Sequence, residues 1–133
     1  LKIPQDLELK IFIGPYENIL FSEGILISSN HPLGFVLLLD ETFYGELTSE
    51  EKIALISHEL GHLTNDDVVL MYNPNTPIQF QIGADTYATK YADPKAMISV
   101  LNKVNNRHGL GPSRQLYLRI QNLEKIRRDQ QAR

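Results

Sequence analysis

Residues 48–64 read TSEEKIALISHELGHLT, and the stretch predicts a helix from two independent signals. Thr48 followed three positions later by Glu51 is a capping-box pattern, in which a hydroxyl and a carboxylate each satisfy a backbone N–H that the first turn leaves open. Glu50 and Glu51 also put negative charge at the positive end of the helix dipole. Ile53, Ile56, Leu60 and Leu63 recur at helical spacing and predict an apolar, core-facing stripe. Gly61 is a poor helix former, costing roughly 1 kcal/mol against alanine. Its position between the turns of two histidines is explained by close approach of another backbone, by a substrate, or by a plain packing need.

Inside this helix His58, Glu59 and His62 spell H-E-x-x-H. Residues four apart project from one helix face, so two imidazoles would aim at a common point where a zinc ion can sit. Glu59, on the adjoining turn, suits a general base for a water whose pKa the metal has lowered towards neutrality. The bland alternative is a pair of histidines with no metal between them.

The rest of the 133-residue chain sets bounds on that idea. Its length is that of one ordinary domain, and the expectation is a single domain over residues 1–133. There are no cysteines, so a metal would need nitrogen and oxygen ligands, and the redox compartment stays open. A net charge of -3 with scattered Lys and Arg offers no basic face for nucleic acid. The cluster Lys125, Arg127 and Arg128 reads as a solvated helix end. The longest apolar run, residues 35–39, is far short of the ~20 residues that span a bilayer, so no membrane segment is expected. Leu1 is neither a methionine nor part of a signal pattern, which is compatible with an excerpt or a processed form. The compartment, cytoplasm or periplasm, and the oligomeric state are left open.

Taken in order, residues 7–13 (LELKIFI) alternate as a half-buried strand does, and Gly14-Pro15 ends it. Residues 18–21 and 25–28 predict a hairpin, and the doubly apolar residues 35–39 a buried strand. Residues 40–45 predict a helical turn. A second long helix is expected from Pro77 through Tyr91, with Ile78, Ile82 and Tyr87 or Ala88 inward. Asp93-Pro94 opens a third, with Met97, Ile98, Leu101 and Val104 as its stripe, and residues 113–128 form a last one with Leu116, Ile120 and Leu123 on one side. Strands first and helices after give an α+β class, a small and mainly antiparallel N-terminal sheet followed by a helical half.

A catalytic zinc takes three protein ligands, and two histidines leave one to find. The second helix offers Gln81 and Asp85, one turn apart on one face. From the strands through HELGH to QIGADTYATKYADPKAMISVL, the chain resembles the zincin-like zinc peptidases of the gluzincin type, namely the HtpX and CAAX-prenyl-protease family and its compact relatives. Ala84-Asp85, Asp93-Pro94 and Ala96-Met97-Ile98 stand where that family has its E-x-x-A-D helix and the following Asp-Pro helix. Residues 18–24 (NILFSEG) and 47–51 (LTSEE) resemble its N-A-F-A-x-G hairpin and L-T-x-E-E lead into the motif helix.

The resemblance implies zinc as cofactor, Glu59 as catalytic base, and a third ligand at the position of Gln81, where the family has Glu. Glutamine offers a neutral carbonyl oxygen and should bind zinc more weakly. Asp85 would by resemblance orient a ligating histidine. Three readings stay open: Gln81 as a weak ligand, Asp85 as a direct ligand, or a degenerate site. Pro112-Ser113 and Arg119-Ile120 resemble a family H-P-S segment followed by R-I, with Gly111 in place of the histidine. Tyr87, Tyr91, His108 and Arg119 are further candidates, each better explained structurally.

The expected function is therefore a zinc endopeptidase acting on a peptide or protein substrate laid along a sheet edge. The alternative is a catalytically impaired descendant that works as a binding or regulatory module.

Overall fold

The computed structural model describes residues 8–16, 24–29, 34–64, 77–107, 109 and 113–133. The fold is α+β: strands β1 (Glu8–Gly14), β2 (Gly24–Ser29) and β3 (Gly34–Asp40) are followed by helices α1 (Glu41–Gly45), α2 (Ser49–Thr64), α3 (Ile78–Ala88), α4 (Pro94–Arg107) and α5 (Arg114–Gln131). The expected hairpin strand at 18–21, the loops at 65–76, and His31, His108, Gly111 and Pro112 lie outside the described residues.

The sheet corrects the expectation of a mainly antiparallel arrangement. β3 is central, in the order β1-β3-β2, with β2 antiparallel to it and β1 parallel, so the sheet is mixed. β2 lies between β1 and β3 in sequence, so the parallel pair has the longer connection that it needs. As the doubly apolar sequence implies, β3 is the strand the core is built on: Leu37 and Leu39 are fully buried. Each such side chain contributes on the order of 1.5–3 kcal/mol by leaving water. β1 departs from simple alternation. Ile11, Phe12 and Ile13 are all 42–48 % exposed, because an edge strand has a neighbour on one side only.

Local chemistry sets the helix starts. Asp40 caps α1 by accepting from Phe43 N (3.1 Å), and Arg107, at the end of α4, donates to the same Oδ2 at 2.8 Å. Burial alone would raise the Asp40 carboxyl, but the hydrogen bonds from Arg107 and Phe43 outweigh it and hold the group below its ordinary 3.8. The capping box at α2 forms as expected: Thr48 N donates to Glu51 Oε1 (2.8 Å) and Glu51 N to Thr48 Oγ1 (3.2 Å). Glu51 is also buried, and it accepts from Lys103 Nζ (2.7 Å) and Ser99 Oγ of α4. Gly109, in the left-handed region at φ +62°, follows the last turn of α4. Ser113 Oγ then caps α5 through Leu116 N at 3.0 Å.

Helix α2 is enclosed on more than one side, by α3 and by α4. Its buried face is therefore broader than the aliphatic stripe and differently centred. Ala54, Leu55, Ser57, His58, Gly61 and His62 are buried, while Ile53 stays 42 % exposed. Helix α3 ends at Ala88 and not at Tyr91, with Thr89 as C-cap. Its buried residues are Ala84, Asp85 and Ala88, and the expected inward Ile78 and Ile82 are only half-buried. Met97, Val100 and Leu101 of α4 and Leu123 of α5 complete the core.

Candidate active site

What brings α3 against the histidines is the missing side chain at position 61. A Cβ there would lie 2.9 Å from Ala84 Cα and 3.0 Å from both Ala84 O and Tyr87 Cβ. Of the explanations for this glycine, the structure selects close approach of another backbone. The two helices meet at Gly61 and Ala84, which sets Asp85 beside His58 and Gln81 beside His62.

The H-E-x-x-H spacing does what helix geometry requires. The two imidazoles stand edge to face, centroids 4.7 Å apart, with His58 Nε2 and His62 Nε2 separated by 3.2 Å. Gln81 Oε1 lies 3.2 Å from the same His62 nitrogen. Ligands held at ~2.0–2.1 Å by one tetrahedral zinc are themselves about 3.3 Å apart, so these separations fit such an ion. His62 is almost fully buried and His58 nearly so.

Asp85 is used differently. It is completely buried, its Oδ1 is 2.8 Å from His58 Nδ1, and Arg119 of α5 spans both oxygens, Nε to Oδ2 at 2.8 Å and Nη2 to Oδ1 at 2.9 Å. Burial alone would push this carboxyl up, but the hydrogen bonds from Arg119 and His58 outweigh it and hold it below its ordinary 3.8. An ionised carboxylate only accepts, so His58 Nδ1 carries the proton and donates it. The Nε2 lone pair is thereby left to face His62. Of the two candidates, Asp85 is bonded to His58 and Arg119, and Gln81 Oε1 lies against the His62 nitrogen. Among the described residues no three His, Cys, Asp or Glu side chains converge as a metal site, and the side chain against His62 is the amide of Gln81.

Glu59 is 9 % exposed, and its Oε2 is buried without a hydrogen-bond partner among the described residues. A carboxylate oxygen left without a donor inside a protein is costly, and an acceptor kept free in this way is what proton abstraction from a water needs. The donor set, two imidazoles and a carbonyl oxygen with a carboxylate beside them, fits a zinc ion and a water.

Tyr87 and Tyr91 face each other, with ring centroids 5.6 Å apart. The neighbouring Tyr91 hydroxyl holds the Tyr87 phenol below its usual 10.0. Arg119 is the residue whose part the sequence left unassigned. It reaches Asp85 across 34 positions of chain, a separation over which no local pattern operates.

An α+β fold in which a buried H-E-x-x-H helix is crossed by a second helix that supports both histidines is the arrangement of a metallopeptidase. The chain belongs to peptidase family M48, whose pattern matches residues 28–124, a span that includes every residue of the site and Arg119. Neither a curated protein nor a solved structure matches it. Members of family M48 are proteases and are generally zinc-dependent.

Proposed function

We propose that this chain is a zinc-dependent endopeptidase in which His58, His62 and Gln81 hold the ion and Glu59 is the general base. The observation that carries the reading is that His62 Nε2 lies 3.2 Å from both His58 Nε2 and Gln81 Oε1, with Glu59, whose buried Oε2 has no hydrogen-bond partner among the described residues, next to His58 in the chain. Within the family, HELGH together with Ala84-Asp85 and Asp93-Pro94 favours the HtpX and CAAX-prenyl-protease branch.

A bound zinc would supply Lewis acidity and a water acidic enough to give up its proton near neutral pH. Glu59 would accept a proton on Oε2 from a water attacking the scissile carbonyl carbon. It would then deliver the proton to the amide nitrogen as the C–N bond breaks, so the leaving group departs as a neutral amine. His58 and His62 would hold the ion through their Nε2 lone pairs and would move no protons. Asp85 keeps the His58 ring oriented by accepting from its Nδ1–H. The substrate is a peptide or protein whose extended chain would lie along an edge of the sheet, where backbone groups can pair with an added strand.

The test is zinc content and casein turnover of the purified chain and of Glu59→Gln. The variant is expected to keep its zinc and to lose roughly 10²–10⁴-fold in kcat. A wild-type chain that binds zinc and cleaves no peptide would instead support a binding module.

A further inference from the structure

Both hydrogen bonds of Arg119 described here end on Asp85, the carboxylate that holds His58 by its Nδ1. Asp85 is fully buried, and Arg119, only partly exposed, is the cation that pairs with it from outside helices α2 and α3. The fork matters because a carboxylate held at both oxygens cannot rotate. Oδ1 is thereby fixed in line with His58 Nδ1, and His58 is confined to one tautomer. The support comes from the C-terminal helix, which meets α3 here and again one turn on, where Asn122 Nδ2 donates to Thr86 Oγ1 at 3.1 Å.

We propose that Arg119 is a positioning residue: by clamping Asp85 it fixes the His58 ring and tautomer, and through them the affinity of the metal site. This rests on His58 being a metal ligand, as proposed for the active site. Groups that hold a ligating histidine's second nitrogen typically change metal affinity by 10–100-fold, which sets the effect to expect.

The experiment compares wild type with Arg119→Ala, Arg119→Lys and Asn122→Ala. Zinc dissociation constants are read by chelator competition. In the metal-free proteins, ¹⁵N-histidine NMR reads the His58 tautomer.

Arg119→Ala is expected to weaken zinc by roughly 10–100-fold and to turn the single Nδ1–H tautomer of His58 into a mixture. Arg119→Lys keeps the charge without the two-point fork and should fall between the two. Asn122→Ala removes the neighbouring tie between α5 and α3 while touching neither Asp85 nor His58, and should leave both readouts unchanged. A folded Arg119→Ala with zinc affinity within about twofold of wild type and a single tautomer overturns the proposal. Should Arg119→Ala fail to fold, Arg119→Lys decides: full affinity with one tautomer overturns the proposal, intermediate affinity with mixed tautomers supports it. If the wild-type chain binds no zinc, the metal-site reading falls, and the tautomer measurement still decides what Arg119 does to His58.

Discussion

Gly61 and Ala84 stand so close that a Cβ on the first would lie 2.9 Å from the Cα of the second. The contact is backbone against helix, so no flexible side chain can yield to relieve it. Gly61→Ala is therefore expected to push α3 away from α2. It should cost about 1–3 kcal/mol as an overpacked core does, partly offset by the ~1 kcal/mol better helix propensity of alanine. Zinc affinity should suffer more than stability, because Gln81 and Asp85 both ride on α3. Gly45, where an added Cβ would meet nothing within 4 Å, is the control: Gly45→Ala should be near neutral in urea unfolding.

Glu51 predicts a pH dependence unrelated to the metal. Burial alone would raise its carboxyl, but the hydrogen bonds from Lys103, Ser99 and Thr48 outweigh it and lower it from 4.5 to about 2. The folded value lies below the unfolded one, so the stability from ionised Glu51 is fully present above 4.5 and is lost as pH falls towards about 2. In Glu51→Gln that contribution is absent. The gap in unfolding free energy between wild type and variant should be widest above pH 4.5 and narrow through this window, as urea titrations at stepped pH would reveal.

The neutral amide of Gln81 leaves the site short of one negative charge. Gln81→Glu changes one atom type on a side chain whose oxygen already lies 3.2 Å from His62 Nε2. It is expected to tighten zinc binding by more than about tenfold, an anionic oxygen being the stronger ligand for a divalent ion. Casein turnover at limiting zinc should rise with it. No change in either readout would remove Gln81 from the ligand set.

Chelation should leave the fold standing. The histidines are held by Asp85, Arg119 and Gln81 through protein contacts alone, and the apolar core is built from residues such as Leu37, Phe43, Met97 and Leu123. Far-ultraviolet circular dichroism is expected to be unchanged in a chelator, with only the ligand-linked part of the thermal stability lost. Unfolding on chelation would instead assign the metal a purely structural part.

Much of this molecule was legible in the amino-acid sequence because it depends on near neighbours. The Thr48–Glu51 box, the Asp93-Pro94 and Ser113 helix starts, the buried β3 and the pairing of His58 with His62 are all set by residues within a turn or two of one another. What tertiary structure alone decided is which surfaces meet. The parallel pairing of β1 with β3 rests on strands far apart in the chain, and α3 presents small residues, Ala84 and Ala88, that carry no amphipathic signal. The same holds for the side chains set against the two histidines. A side chain's local pattern says which face of a helix it occupies, but only the notch at Gly61 and the reach of Arg119 from α5 determine that Gln81 meets His62 while Asp85 is turned to His58.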